Sequence, residues 1–298
     1  MRLTSHFDIS IVRFIKPTGE NMKPNQLIIP PKPGILLEIQ ALMQQQDVDL
    51  VKITRLIKQD VALYAVLLSS VNSPWLGLRQ EVKSVETAIS LMGLERVLSL
   101  LQAVIIRSCF KGAPLLDSFW DTASDVAAIC QTLASKYTHV KADDAYSMGM
   151  LHNAGVAVML TNFENYNQFL NTHNRKPANE LCVYERQTFH TDHYLQGALL
   201  AKAWYMGNNI SLTVRYQPIA QSVLDGSKEM PADICQLLAV LTLAKDISGE
   251  YQHYWKVEEN KFNTQCITAA LEYLNISEEE YKDLKEDTIN DLMENQVA

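Results

Sequence analysis

The chain has 298 residues, 47% of them hydrophobic and 20% charged, with a formal net charge of −8. This is the balance of a globular protein with a substantial core, in one large domain or two moderate ones. The charge argues against strong, non-specific nucleic-acid binding: from Glu278 onward the acids outweigh Lys282 and Lys285 so heavily that the remainder is close to neutral, and no basic patch offers a counterion-release drive.

Residues 1–24 read as an N-terminal segment. Met1 to Lys16 mixes Arg2, His6, Asp8, Arg13 and Lys16 into its apolar residues, which leaves no signal-peptide core. A short element over 3–15 precedes Pro17, Pro24, Pro30, Pro31 and Pro33, which predict an extended, irregular stretch because proline removes donors and restricts its predecessor. From Ile35 onward the pattern is helical. Leu36, Ile39, Leu42 and Met43, then Leu50, Ile53, Leu56 and Ile57, recur at helical spacing.

Val85 to Ile106 is apolar over most of its circumference, which predicts a central buried helix, with Gly93 marking a close helix approach. Its most apolar run, Val97 to Ile106, contains Ser99 and Gln102 and is far shorter than the ~20 residues of a membrane span. A cytoplasmic protein with no membrane association is expected. Lys111-Gly112-Ala113-Pro114 separates an N-terminal lobe, 25–112, from a C-terminal lobe, 113–250. Helices are predicted over 116–136, 143–160, 178–189 and 193–206, with a shorter one after Ser211 and another opening at Met230-Pro231. The last of these packs through Ile234, Leu237, Leu238, Leu241 and Ala244. Residues 251–298 form a C-terminal helical extension with an acidic end, where Ser277 and Glu280 have capping-box spacing and Tyr281, Leu284 and Leu292 make a loosely apolar face. The fold class is all-α. The five cysteines are widely spaced, have no Cys-x-x-Cys pair, and read as reduced, mostly buried thiols.

Leu151-His152-Asn153-Ala154-Gly155 carries the most chemical information. An aspartate after the histidine would make a pair able to hold a divalent ion, whereas the amide of Asn153 has no charge and is a poor ligand for a hard cation.

Three more stretches fit the same theme: Gln59-Asp60-Val61-Ala62-Leu63, then Ser70-Val71-Asn72-Ser73, then Ala88-Ile89-Ser90-Leu91-Met92-Gly93-Leu94-Glu95-Arg96-Val97. With the Ile28-Ile29-Pro30-Pro31-Lys32-Pro33 entry and Phe119-Trp120, the chain resembles the HDOD domain over roughly residues 25–250. The resemblance implies an all-helical, HD-like bundle related to the HD and HD-GYP metal-dependent phosphohydrolases, in a group whose members commonly lack the metal ligands and serve as signalling modules. Thr122 stands about where a histidine is usual, Asn153 where an aspartate is, Arg215-Tyr216 where a histidine pair is, and Lys245, beside Asp246, where the final aspartate is.

The resemblance therefore implies a non-catalytic regulatory module in a bacterial signal-transduction setting, connected through its enzymatic relatives with cyclic-dinucleotide pathways. It would bind a protein partner or a small anionic signal and need no cofactor. The residues of its degenerate pocket would be His152, Asn153, His193, Arg215 and Asp246. The alternative is a divergent phosphohydrolase acting on a phosphoester or cyclic dinucleotide, with His152, His193, Asp192 and Asp246 as displaced metal ligands. That chemistry needs an ion held by several converging ligands, and a nearby lysine and arginine repel a cation while attracting an anion.

Read from the residues alone, His152 is a packed histidine bonded to a neighbouring helix, and Asn153 a buried amide that needs partners. His190-Thr191-Asp192-His193 is a surface helix start with Asp192 or Thr191 as the cap. Asn72-Ser73-Pro74 ends a helix through local hydrogen bonds.

Overall fold

The computed structural model describes residues 34–249 and 261–297, apart from 46, 60–63, 65, 66, 69, 70, 73–81, 110–113, 174, 175 and 205. The predicted element 3–15, the proline-rich stretch, the Asp60 motif and the Lys111–Ala113 break lie outside the described residues, as do the side chains of Phe119 and Trp120. Every regular element among the described residues is helical.

Helices α1 (Gly34–Met43) and α2 (Leu50–Gln59) bury the predicted stripe through Leu36, Ile39, Leu42, Ile53 and Ile57, while Leu50, the first residue of its helix, is exposed. Asn72 does more than end a turn. Its amide donates to the carbonyls of Leu68 and Val82 and accepts from the Val82 N–H, tying two stretches ten residues apart.

The helix predicted over 85–106 is two, α3 (Val85–Met92) and α4 (Leu94–Cys109). Ser84 caps α3 by accepting from the Thr87 N–H at 3.1 Å. Gly93 separates the two for a backbone reason. Its φ is +81° and nothing lies within 4 Å of where a Cβ would stand, so positive φ, not a close helix approach, requires glycine. Nor is this stretch central, since Leu91 is 60% exposed.

That place belongs to α13 (Ala232–Ile247), which buries the predicted Ile234, Leu237, Leu238, Leu241 and Ala244 and also Ala239, Val240 and Leu243 on its other sides. Against it pack α5 (Pro114–Tyr137), α6 (Ala142–Leu151), α11 (Asn208–Tyr216) and α12 (Ala220–Leu224), while α7 (Ala154–Asn162), α8 (Tyr166–His173), α9 (Ala178–Phe189), α10 (His193–Ala203) and a 3-10 turn (Gln217–Ile219) make up the rest of this stretch, with α7 packed on α10 and α10 on α11. The single helix predicted over 143–160 is broken at His152-Asn153 into α6 and α7. The helix expected after Ser211 begins before it, at Asn208.

Two glycines set the helix spacing around this break. A Cβ on Gly149 would lie 2.5 Å from Ala127 Cα on α5. One on Gly155 would lie 1.7 Å from the His193 carbonyl oxygen and 2.6 Å from the Gly197 nitrogen, so the start of α7 rests directly on the backbone of α10. The glycine of the His152 motif is thus a packing requirement.

Helices α14 (Lys261–Leu274) and α15 (Glu278–Val297) complete the described chain. Ser277 accepts from the Glu280 N–H at 3.1 Å, half of the predicted capping box, while the Glu280 carboxylate accepts from Tyr137 Oη at 2.8 Å instead of turning back. Tyr281 is buried and Leu284 packs beside it, whereas the side chain of Leu292 is outside the description. One hydrophobic core runs from Leu36 to Tyr281 through both predicted lobes and the C-terminal helices. Cys130, Cys182, Cys235 and Cys266 are buried free thiols. Among the described residues no helix is long and apolar enough to cross a membrane.

Candidate functional site

Helix α9 buries Leu181, Cys182, Glu185 and Phe189, a helical stripe with a carboxylate in the middle of it. The helix stops at His190, whose φ of +58° is left-handed and whose N–H returns to the Arg186 carbonyl at 3.1 Å. This reversal delivers Thr191, Asp192 and His193 straight into α10. Asp192 caps that helix, accepting from the Leu195 N–H at 2.8 Å. The predicted cap is therefore present, but the predicted surface location is not: Asp192 is 0% and His193 1% exposed, and α7 lies directly on the His193 backbone.

The two acids of this corner have separate partners. Glu185 accepts from His193 Nδ1 at 2.8 and 2.9 Å, from the His193 backbone N–H at 3.1 Å, and from Tyr166 Oη at 2.5 Å. A carboxylate paired with these donors accepts the proton of Nδ1, which fixes how the imidazole is held. Burial, with the Glu185 charge beside it, pushes the Tyr166 phenol well above its ordinary range, so it remains a donor. Tyr166 is itself held edge-on by Phe189, with ring centroids 5.4 Å apart.

Asp192 instead meets two guanidinium groups, Arg186 Nε on Oδ2 at 2.7 Å and Arg215 Nη1 on Oδ1 at 3.4 Å. Burial opposes the charge of Arg186, but Asp192 more than offsets it and raises that group's pKa. Cys182 lies among these charges, and burial followed by the fields of Asp192 and Glu185 pushes its thiol up, which makes it a poor nucleophile.

His152 lies in the adjoining corner. It ends α6 and is buried, with Nδ1 donating to the Gly149 carbonyl at 2.5 Å. The expected bond to a neighbouring helix is, for this nitrogen, a bond to its own last turn. The neighbour bonds the backbone instead: Gln217 Nε2 donates to the His152 carbonyl at 2.6 Å, and Lys245 Nζ donates to Gln217 Oε1 at 3.4 Å. Lys245 is buried, and its amino group is linked to the His152 backbone through Gln217. Asn153 is buried at the start of α7.

Asp246 turns to another neighbour, accepting from Tyr281 Oη at 2.6 Å and Lys285 Nζ at 2.7 Å, and so anchors α15. Of the sequence candidates, the fold brings His193 and Arg215 to the same α9–α10 corner but onto different acids, Glu185 and Asp192, keeps His152 and Asn153 at the adjoining α6–α7 break, and turns Asp246 to the C-terminal helix. The alternative ligand set His152, His193, Asp192 and Asp246 is not assembled. Among the described residues no three His, Cys, Asp or Glu side chains converge as metal ligands, and two of the set's acids are taken by cationic partners. A divalent ion does not fit these residues.

Sequence reasoning missed Glu185, Arg186, Tyr166 and Gln217. The signal for Glu185 was available as an acid on the apolar stripe of α9. Gln217 offered none, because its role depends on where α6 and α13 meet the 3-10 turn.

The model of the HDOD domain matches residues 29–219, well over half of the chain. The chain belongs to the HDOD family. A protein of Treponema pallidum (strain Nichols), itself uncharacterised, is 30% identical over 196 residues, covering 63% of this chain and 37% of its own length. This HDOD chain thus spans little more than a third of that relative. Among crystal structures, a candidate phosphohydrolase from Shewanella amazonensis SB2B is 20% identical, with 88% of this chain and 90% of that one superimposed at a TM-score of 0.66. An HDOD domain protein of unknown function from Geobacter sulfurreducens, also 20% identical, covers 91% and 92% at 0.65. A candidate signal transduction protein from Marinobacter aquaeolei VT8, again 20% identical, covers 88% of this chain and 57% of its own at 0.67. At these identities the likeness shows a shared helical fold.

Proposed function

We propose that this HDOD chain is a non-catalytic regulatory module of signal transduction, which acts by binding a protein partner or a small anionic signal. One observation carries the reading. The acids among the site candidates and beside them are engaged by the chain's own donors: Asp192 by Arg186, Arg215 and a helix cap, Glu185 by His193 and Tyr166, and Asp246, away from the histidines, by Lys285 and Tyr281. Metal-assisted hydrolysis needs such groups converging on an ion that activates water and neutralises phosphoryl charge. Freeing Asp192 would strand two guanidinium groups beside the ligand site, an arrangement that repels a cation and suits an anion.

The reading is tested by metal analysis of untagged protein, together with hydrolysis of a generic phosphodiester and of cyclic di-GMP in added Mn. No bound metal and no turnover is the expected result. Close to one equivalent of metal, with turnover abolished by His152→Ala, would overturn it in favour of a divergent phosphohydrolase.

A further inference from the structure

We propose that Arg186 and Arg215 together form a binding site for a phosphoryl group on the face shared by α9, α10 and α11. The site rests on the binding-module reading and gives its anionic signal a location and a chemical class.

The argument starts from exposure. The Asp192 side chain is 0% exposed, while those of Arg186 and Arg215 are 49% and 27% exposed. A buried carboxylate therefore holds two guanidinium groups at the surface, with its own charge behind them. Two cations stand on one anion, and the layer that faces solvent is positive.

The donors are only partly used. Arg186 engages Asp192 through Nε, so its terminal nitrogens are not used in that bond, and its side chain is 49% exposed. Arg215 reaches Oδ1 with Nη1 alone at the long distance of 3.4 Å. Asp192 has little further capacity to accept, since Oδ1 also takes the Leu195 N–H. The other acid of the corner, Glu185, is sealed against His193 and Tyr166 and bonds neither arginine.

The geometry selects the ligand class. A carboxylate is satisfied by one guanidinium fork, whereas these two guanidinium groups come from different helices, α9 and α11. An ion with three or more acceptor oxygens and up to two negative charges matches two such forks at once, as a phosphoryl group does. The pair is also held in advance by the Asp192 anchor, which lowers the ordering cost of binding for two long side chains.

The alternative is that both arginines serve only to neutralise Asp192. Calorimetric titration of the full chain with inorganic phosphate at low ionic strength separates the two. Saturable binding at one site is expected, weakened about tenfold or more in Arg186→Gln and in Arg215→Gln, and unchanged in Lys52→Gln on the distant α2. A measurement that needs no variant covers the case in which a substitution unfolds the chain: inorganic phosphate should protect Arg186 and Arg215 of the wild type from phenylglyoxal, read by peptide mass mapping. No saturable binding, equal affinity in both arginine variants, or no protection would overturn the site.

Parallel titrations with a nucleoside monophosphate and with phosphoserine identify the carrier, since the phosphoryl group's true source should bind more tightly than phosphate itself. Failure of the site is distinguishable from failure of the module reading. Absent phosphate binding in a protein with no metal and no turnover removes the site alone, whereas metal-dependent turnover removes the reading on which it rests.

Discussion

His152 and His193 are each 1% exposed, yet the two corners that bury them work differently. At the α6–α7 break, Nδ1 of His152 donates to a neutral carbonyl three residues back, and Gln217 joins the corner to the rest of the fold through backbone and amide bonds. At the α9–α10 corner, the His193 ring meets a buried carboxylate, and the residue before it meets two arginines. A histidine's burial thus says little about its role. What matters is whether the partner carries charge, because a charge in the interior is costly unless paired.

Replacing each histidine by leucine sharpens that contrast. His193→Leu leaves the buried Glu185 carboxylate with one fewer donor and should cost upwards of about 3 kcal/mol in urea unfolding, since an unmet buried acceptor costs about 1 to 3 kcal/mol and a charged one more. Next in size is Gly155→Ala, whose new methyl would collide with the His193 carbonyl and force α7 off α10, at a cost of about 3 kcal/mol by the same measurement. This variant perturbs the two corners together, so a near-neutral result would mean that they are not packed backbone to backbone. His152→Leu removes a neutral bond and should cost about 1 to 2 kcal/mol. Equal losses for the two histidine variants would break the comparison.

The smallest effect belongs to Cys182. Its folded pKa is raised above the ordinary 9.0, by burial first and then by Asp192 and Glu185, so the unfolded chain loses the proton first as pH rises. The stability linked to this thiol is therefore fully present below pH 9 and is lost progressively above it. Between pH 8 and 9.5 the loss from this group should be about 0.8 kcal/mol, and Cys182→Ala should flatten the unfolding profile by that amount.

Much of this was legible in the residues. Helical spacing gave α1, α2 and α13 with their buried faces, because a stripe repeating every three or four residues has one way to leave water. Ser277 and Asp192 announced helix starts, since a side-chain oxygen at that position satisfies a backbone donor wherever the helix goes. Gly93 was noticed, but its reason was misread. A glycine forced by positive φ and one forced by a close neighbour look alike in a string of letters, and the neighbour turned out to be at Gly149 and Gly155.

The sequence by itself determined the helical class and the HDOD family. These rest on local pattern and residue identity, which survive without coordinates. Only the tertiary structure decided which charges meet. Asp192 and His193 are consecutive, yet one faces Arg186 and Arg215 and the other faces Glu185, while Asp246 turns away to Lys285 on the last helix. Pairing depends on the rotation and approach of helices far apart in the chain, and helix periodicity fixes only which face is buried, never which neighbour covers it.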